Sequence, residues 1–385
     1  MHSWLAGPWS MKIFYLCFYI ATGIYSPYAA LYLHAIHLDG AQIGLLASLP
    51  AVAGVALPPV WGVLSDHFGW RKPVLAISLL VAALASPAIP LAGGMGSLVP
   101  LMALLAVALS PVVPLADSTT LEWLRQHGGS YGAVRFYGSL GFLFSSLIAG
   151  QFLGGRHILA LFPVYGVFLF STFVVSLAVP AQDRGVRLAR GEGITSVLRD
   201  RVVVLFLICA VVGYGTFAAY NTFFSLYMKG LGAGTGVIGL AAGIATLSEL
   251  PVMALAGWAI KRIGVKPLLI VGLTSDVARW IAYAVIHDYR LALLFQPLHG
   301  LGFAGFYVAG VTLIEHRVPG RLRSTGQTLF NAALFGVGTV TGANLFGHLY
   351  DHLHASGMFL AAALLCLPAL VGVIVFVPSG LIVEE

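Results

Sequence analysis

The sequence predicts an all-α membrane protein of twelve transmembrane helices in two pseudo-symmetric six-helix bundles. Three observations predict it. Hydrophobic residues make up 59% of the 385-residue chain and charged residues only 9%, with a mean hydropathy of +0.93, whereas an ordinary soluble domain carries roughly 25% charge. Apolar stretches of about 20 residues, the length of a helix that crosses a bilayer, recur from end to end. A single long polar interruption, Pro180 to Arg201, divides them six and six. A membrane β-barrel would instead show alternating segments of about ten residues.

Taken in order, the spans cover about 11–34, 41–63, 73–92, 97–123, 132–153 and 157–179, then 202–229, 236–259, 266–286, 290–315, 324–349 and 356–378. The first is too long for a signal-peptide core and lacks a clear small-residue cleavage site, so it is kept as a mature span. The expected division is an N-terminal bundle over 1–180, a cytoplasmic linker over 181–201 and a C-terminal bundle over 202–385. The linker carries Asp183, Arg184, Arg187, Arg190, Glu192, Arg199, Asp200 and Arg201.

Lys and Arg concentrate on one side of this topology. Only Arg156, Lys229 and Arg290 fall on the opposite side, and Arg135 and Arg279 lie within spans. By the positive-inside rule both termini are cytoplasmic. The net charge of +6 is spread over short loops rather than gathered into a patch, which argues against nucleic-acid binding. Cys17, Cys209 and Cys366 sit singly in apolar segments, with neither a metal spacing nor a disulfide framework. No cofactor is expected.

An internal repeat supports the two halves. Gly62-Val-Leu-Ser-Asp66-His-Phe-Gly69-Trp-Arg71-Lys72 separates the second and third spans, and Gly257-Trp-Ala-Ile-Lys261-Arg-Ile-Gly264-Val-Lys266 separates the eighth and ninth. Both keep the glycine spacing and a cation two residues after the second glycine. The loop reads as a cytoplasmic latch, with Asp66 able to cap the third span and Arg71 and Lys72 able to meet helix C-terminal carbonyls. The first copy resembles the loop signature of the major facilitator superfamily, and the second is degenerate, with Lys261 where the first has Asp66.

Charges inside the spans are the most informative residues. A charge in hydrocarbon costs at least a few kcal/mol, so those retained face a wet cavity or each other. Asp117 lies in the fourth span and Arg135 in the fifth, eighteen residues later. Adjacent antiparallel helices can bring them within reach, as a structural ion pair or as a ligand site. The stretches Ser110-Pro-Val-Val-Pro-Leu-Ala-Asp117 and Tyr131-Gly-Ala-Val-Arg135-Phe-Tyr-Gly138-Ser resemble the bacterial phenylpropionate transporter family and, more distantly, lactose permease and other oligosaccharide or nucleoside proton symporters. The resemblance implies that Asp117 and Arg135 bind substrate hydroxyls. It also points to Phe142, two turns after Arg135, where lactose permease has a tryptophan that stacks on the sugar.

In the second half the resemblance aligns Glu249, the Asp276-Val-Ala-Arg279 segment and His299 with a carboxylate, an arginine and a histidine that couple substrate to a proton. Asp276 and Arg279 share a helical face and can pair, and His299 is the natural group to titrate near neutral pH. One position departs: three residues after the histidine, where lactose permease has its proton-carrying carboxylate, this chain has Gly302. Either Glu249 or Asp276 then takes that role, or the protein is not proton-driven. Tyr25, Tyr220, Asn221 and Asn331 are further candidates for hydrogen bonds to a solute, with Gln327 and Asn344 as weaker ones.

The expectation is therefore a monomeric secondary transporter in the bacterial inner membrane, a proton-coupled symporter that imports a small organic solute (a sugar, nucleoside or aromatic acid) by alternating access, with the lipid bilayer, the solute and protons as its partners. An exporter of the same fold is the alternative. The fifth span lacks the proline of the Gly-Pro-Gly-Gly pattern typical of exporters in the superfamily. No nucleophile-and-base or metal pattern of an enzyme is present.

Overall fold

The structure, a computed structural model, describes residues 7–58, 60–61, 70–180 and 194–379. Among these residues it is helical without a strand. The helices are α1 (Pro8–Tyr25), α2 (Ala29–Ala35), α3 (Gly40–Ala56), α4 (Arg71–Ala85), α5 (Met95–Leu109), α6 (Val112–His127), α7 (Tyr131–Phe152), α8 (Leu161–Ser176), α9 (Ile194–Val197), α10 (Arg201–Gly230), α11 (Thr235–Ile263), α12 (Val265–Val285), α13 (Tyr289–Leu294), α14 (Leu298–Gly300), α15 (Phe306–Arg317), α16 (Arg323–Asn331) and α17 (Thr339–Phe376).

Ten helices among the described residues are long and apolar enough to cross a membrane. The expected twelve follow from two details. α3 belongs to the second span but covers only 17 described residues. The last helical run, Arg323–Phe376, is 54 residues long and holds the eleventh and twelfth spans end to end. They join at His354, whose φ of 57° breaks the helical geometry. Large apolar side chains such as Phe152, Leu294 and Val285 are exposed, as expected of helices whose outer faces meet lipid rather than water.

The chain forms two compact units, Met1–His37 with Val52–Leu188 and Gly234–Gly243, and Leu38–Ala51 with Ala189–Ala233 and Ile244–Glu385. This differs from a contiguous division at two places, where the start of α3 clusters with the second unit and the start of α11 with the first. Small residues explain it, because they let backbones approach closely. Within the second unit, Gly40 and Gly347 meet backbone to backbone. The Asp351 carboxylate there accepts from the amides of Gly40 at 2.6 Å and Ala41 at 2.9 Å, so it caps the orphan donors that open α3. Within the first unit, Thr235 donates to the Gly150 carbonyl at 2.7 Å and Tyr28 to the Ser146 carbonyl at 2.6 Å.

The interior of each unit is built the same way. In the first, α1 lies against α7, where a Cβ on Gly141 would stand 2.5 Å from the Leu16 carbonyl oxygen. In the second, α10 lies against α17, with Gly342 on the Gly215 carbonyl. These contacts carry Arg135, the one charged residue of α7, and the helices around α10 into fixed positions.

Candidate functional site

In the first unit the polar residues gather where α1, α6 and α7 meet. The Tyr15 hydroxyl, on α1, donates to Asp117 Oδ1 on α6 at 2.6 Å, and Tyr131 also neighbours that carboxylate. Arg135, on α7, donates through Nη2 to the Tyr19 hydroxyl. Its guanidinium carbon lies 4.0 Å from the centre of the Tyr19 ring and 5.5 Å from that of Tyr15. Arginine over an aromatic face is a favourable cation–π arrangement. Among the described residues Asp117 and Arg135 form no ion pair with each other. Each is engaged by a tyrosine of α1 instead. Both charged residues remain partly accessible.

The other N-terminal candidates divide. Phe142 is half-buried further along α7. Tyr25 stacks on Tyr165 of α8, ring centres 4.8 Å apart, and packs on Phe162, so it belongs to an aromatic cluster and does not meet Asp117 or Arg135. Glu122 pairs with Arg125 at 2.9 Å near the end of α6. Gly62, Asp66 and Gly69 of the latch loop lie outside the described residues, while Arg71 and Lys72 open α4, with Arg71 buried.

In the second unit α11, α12 and the segment after α13 build a connected network. Arg279, fully buried, pairs with Asp276 one turn earlier at 3.3 Å. Its Nη2 lies 3.4 Å from His299 Nδ1. His299 Nε2 lies 3.0 Å from Glu249 Oε1. A guanidinium only donates, so Nδ1 accepts and the imidazole proton sits on Nε2, directed at Glu249. The geometry thus selects a neutral histidine donating to a carboxylate. The network then holds two carboxylates, one guanidinium and one neutral imidazole.

Local backbone explains why these groups touch. The α14 turn presses on α11 at Gly300, whose amide donates to Ser248 Oγ at 2.9 Å. A Cβ there would collide with the Ser248 carbonyl, so glycine is what lets His299 approach Glu249. The next three residues begin a π-helical stretch, Leu301–Gly305, a geometry found often at functional sites. Gly302 lies inside it. A Cβ at Gly302 would collide with Asp276 Oδ1. The missing carboxylate at 302 and the presence of one at 276 are therefore linked: the Asp276 side chain fills the space.

Aromatic rings wall the network. The Arg279 guanidinium carbon lies 4.5 Å from the Tyr220 ring centre and 4.8 Å from that of Trp280. Tyr220 also donates to Gln296 Oε1 at 3.0 Å, which joins it to this cluster rather than to the residues around Arg135. Asn331 accepts from Tyr307 at 3.3 Å, and Asn221 is exposed beside Tyr214. Gln327 donates to the Val311 carbonyl at 2.8 Å and Asn344 to that of Val340 in its own helix at 2.8 Å, so both serve the helices. Sequence reading missed Tyr15, Tyr19 and Gln296. Tyr15 and Tyr19 stand four apart in the first span, one helical face, and Gln296 is an amide in an apolar stretch. Those were the available signals.

A profile of the MFS_1-like family matches residues 8–361. The chain belongs to this family of major facilitator superfamily transporters. It is 30% identical to a maltose permease of Geobacillus stearothermophilus over 353 residues, 90% of this chain and 89% of the relative. A probable 3-phenylpropionic acid transporter of Escherichia coli is 26% identical over 366 residues, covering 92% and 94%. Among solved structures, the nucleoside transporter NupG superposes with a TM-score of 0.88 at 15% identity, over 97% of this chain and 99% of that one. The relatives are transporters of small molecules, so this is a multi-pass membrane transporter and not an enzyme.

Proposed function

We propose that the protein is a proton-coupled symporter importing a small polyhydroxylated solute, a sugar or nucleoside, across the bacterial inner membrane by alternating access. It works as a monomer with both termini in the cytoplasm. The observation that carries this reading is the Glu249–His299–Arg279–Asp276 network. Two carboxylates against one guanidinium leave one negative charge, and a proton on Glu249 cancels it. The Glu249 side chain is 23% exposed against 5% for Asp276, so it can take that proton directly from water. Arg279 and Asp276 cancel each other and stay inside the unit.

Asp117 and Arg135 are the solute-binding pair of this reading. A carboxylate accepts from hydroxyls, an arginine fork donates to them, and both are partly accessible. Phe142 supplies an apolar face for a ring. The similarity to a maltose permease favours a sugar.

The test is uptake of radiolabelled maltose, uridine and 3-phenylpropionate into proteoliposomes, with and without an imposed inward proton gradient. Gradient-driven accumulation of maltose or uridine is expected. Accumulation driven in the outward direction would favour the exporter, and uptake indifferent to the gradient would remove proton coupling.

A further inference from the structure

The first unit holds a feature that ligand binding alone leaves unexplained: an acid and a base that both contact Tyr15 yet do not pair with each other. Opposite charges free to approach each other in a poorly screened interior attract strongly. Left to themselves, Asp117 and Arg135 would close into an ion pair and use up the acceptors and donors that a solute needs.

Three observations show what holds each of them. Tyr15 and Tyr19 occupy one face of α1, a turn apart, and each gives its hydroxyl to one member of the pair. Tyr15 is 1% exposed, so its hydrogen bond to Asp117 is held by packing. On the other side, Gly138 lies one turn after Arg135. A Cβ there would stand 2.7 Å from Arg135 Nη1 and 2.8 Å from Tyr19 Cδ2. The bare backbone at 138 is the seat on which the Tyr19 ring and the guanidinium lie together.

We propose that Tyr15 and Tyr19 are positioning residues that hold Asp117 and Arg135 apart and so keep a site open for a neutral polyhydroxylated solute. This rests on the reading of Asp117 and Arg135 as the solute-binding pair. The hydroxyls give each charge a partner, so neither is stranded while the site is empty. An entering solute exchanges one hydrogen bond for another instead of breaking an ion pair. A neutral solute suits this arrangement, because it offers hydroxyls to both charges at once and needs neither neutralised.

The decisive experiment is the Tyr15→Phe/Tyr19→Phe variant, which keeps both rings and loses both hydroxyls. Its structure, determined on purified protein, should show the Asp117 carboxylate and the Arg135 guanidinium within about 4 Å, an ion pair. Charges that stay apart overturn the proposal, whatever the solute proves to be. With radiolabelled maltose as probe, KM for uptake should rise roughly tenfold or more, the scale of a lost hydrogen bond to a charged group, with little change in maximal rate. A fall in rate at constant KM would overturn it as well. Gly138→Ala provides a second approach from α7. It unseats Tyr19 from Arg135 without touching either hydroxyl, and should raise KM in the same way. If the wild type ignores both maltose and uridine, the solute reading fails, and the structure of the double variant still decides the positioning.

Discussion

The two polar regions are made of the same residue types and arranged oppositely. In the first unit Asp117 and Arg135 are partly exposed, separate, and each tied to a tyrosine hydroxyl of α1. In the second, Glu249, His299, Arg279 and Asp276 form an unbroken chain walled by Tyr220 and Trp280, with Arg279 inaccessible. Separated charges keep free lone pairs and donors for something that enters. A connected network directs most of its hydrogen bonds inward, an arrangement suited to shifting a proton. The proposed function rests on this difference, with recognition given to one region and coupling to the other.

That division can be broken experimentally. The largest effect is expected from Arg135→Lys, which should weaken solute binding by about 100-fold while the protein folds normally, because a point charge cannot replace a planar fork. Equilibrium binding to the purified variant checks it, and unchanged affinity would turn the first region into scaffold. Next in size, Glu249→Gln mimics the protonated acid and should abolish gradient-driven accumulation while leaving solute exchange across the membrane intact. Counterflow and gradient-driven uptake in proteoliposomes separate the two. If the variant still concentrates solute, coupling lies elsewhere, with Asp276 the next residue to test.

Gly302→Ala sharpens the comparison from within the second region. The new Cβ collides with Asp276, and overpacking of this kind costs about 1–3 kcal/mol. A lower melting temperature together with impaired accumulation is expected, and a fully wild-type variant would show that Asp276 moves aside freely. The smallest effect should come from Phe142→Ala: a loss of a few-fold in affinity, since a ring face contributes about 1 kcal/mol beyond its burial. A competition assay measures it.

Much of this was legible in the sequence, for identifiable reasons. Hydropathy counts spans well because a bilayer imposes one length on all of them, and the His354 kink was needed only to divide a helix that the sequence already read as two spans. The buried charges of the second half announced themselves by their cost, and the helical spacing of Asp276 and Arg279 predicted their pairing. Two things were out of reach. The spacing of Asp117 and Arg135 suggested a pair, but whether two adjacent helices close their charges depends on a third helix, and α1 supplied the competing hydroxyls. The replacement of an acid by Gly302 read as a loss. Only the packing of α12 against the π-helical turn reveals that another carboxylate occupies the space.

The crossing of short segments between the compact units has a consequence for cutting the chain. A polypeptide ending in the 180–200 stretch would carry Leu38–Ala51, whose compact unit lies in the other fragment, and would lack Gly234–Gly243. The first two amides of α3 would lose the Asp351 carboxylate that accepts from them. Each fragment is therefore an incomplete unit holding a piece of its counterpart. Co-expression of two such fragments should therefore yield more folded protein than either fragment expressed alone.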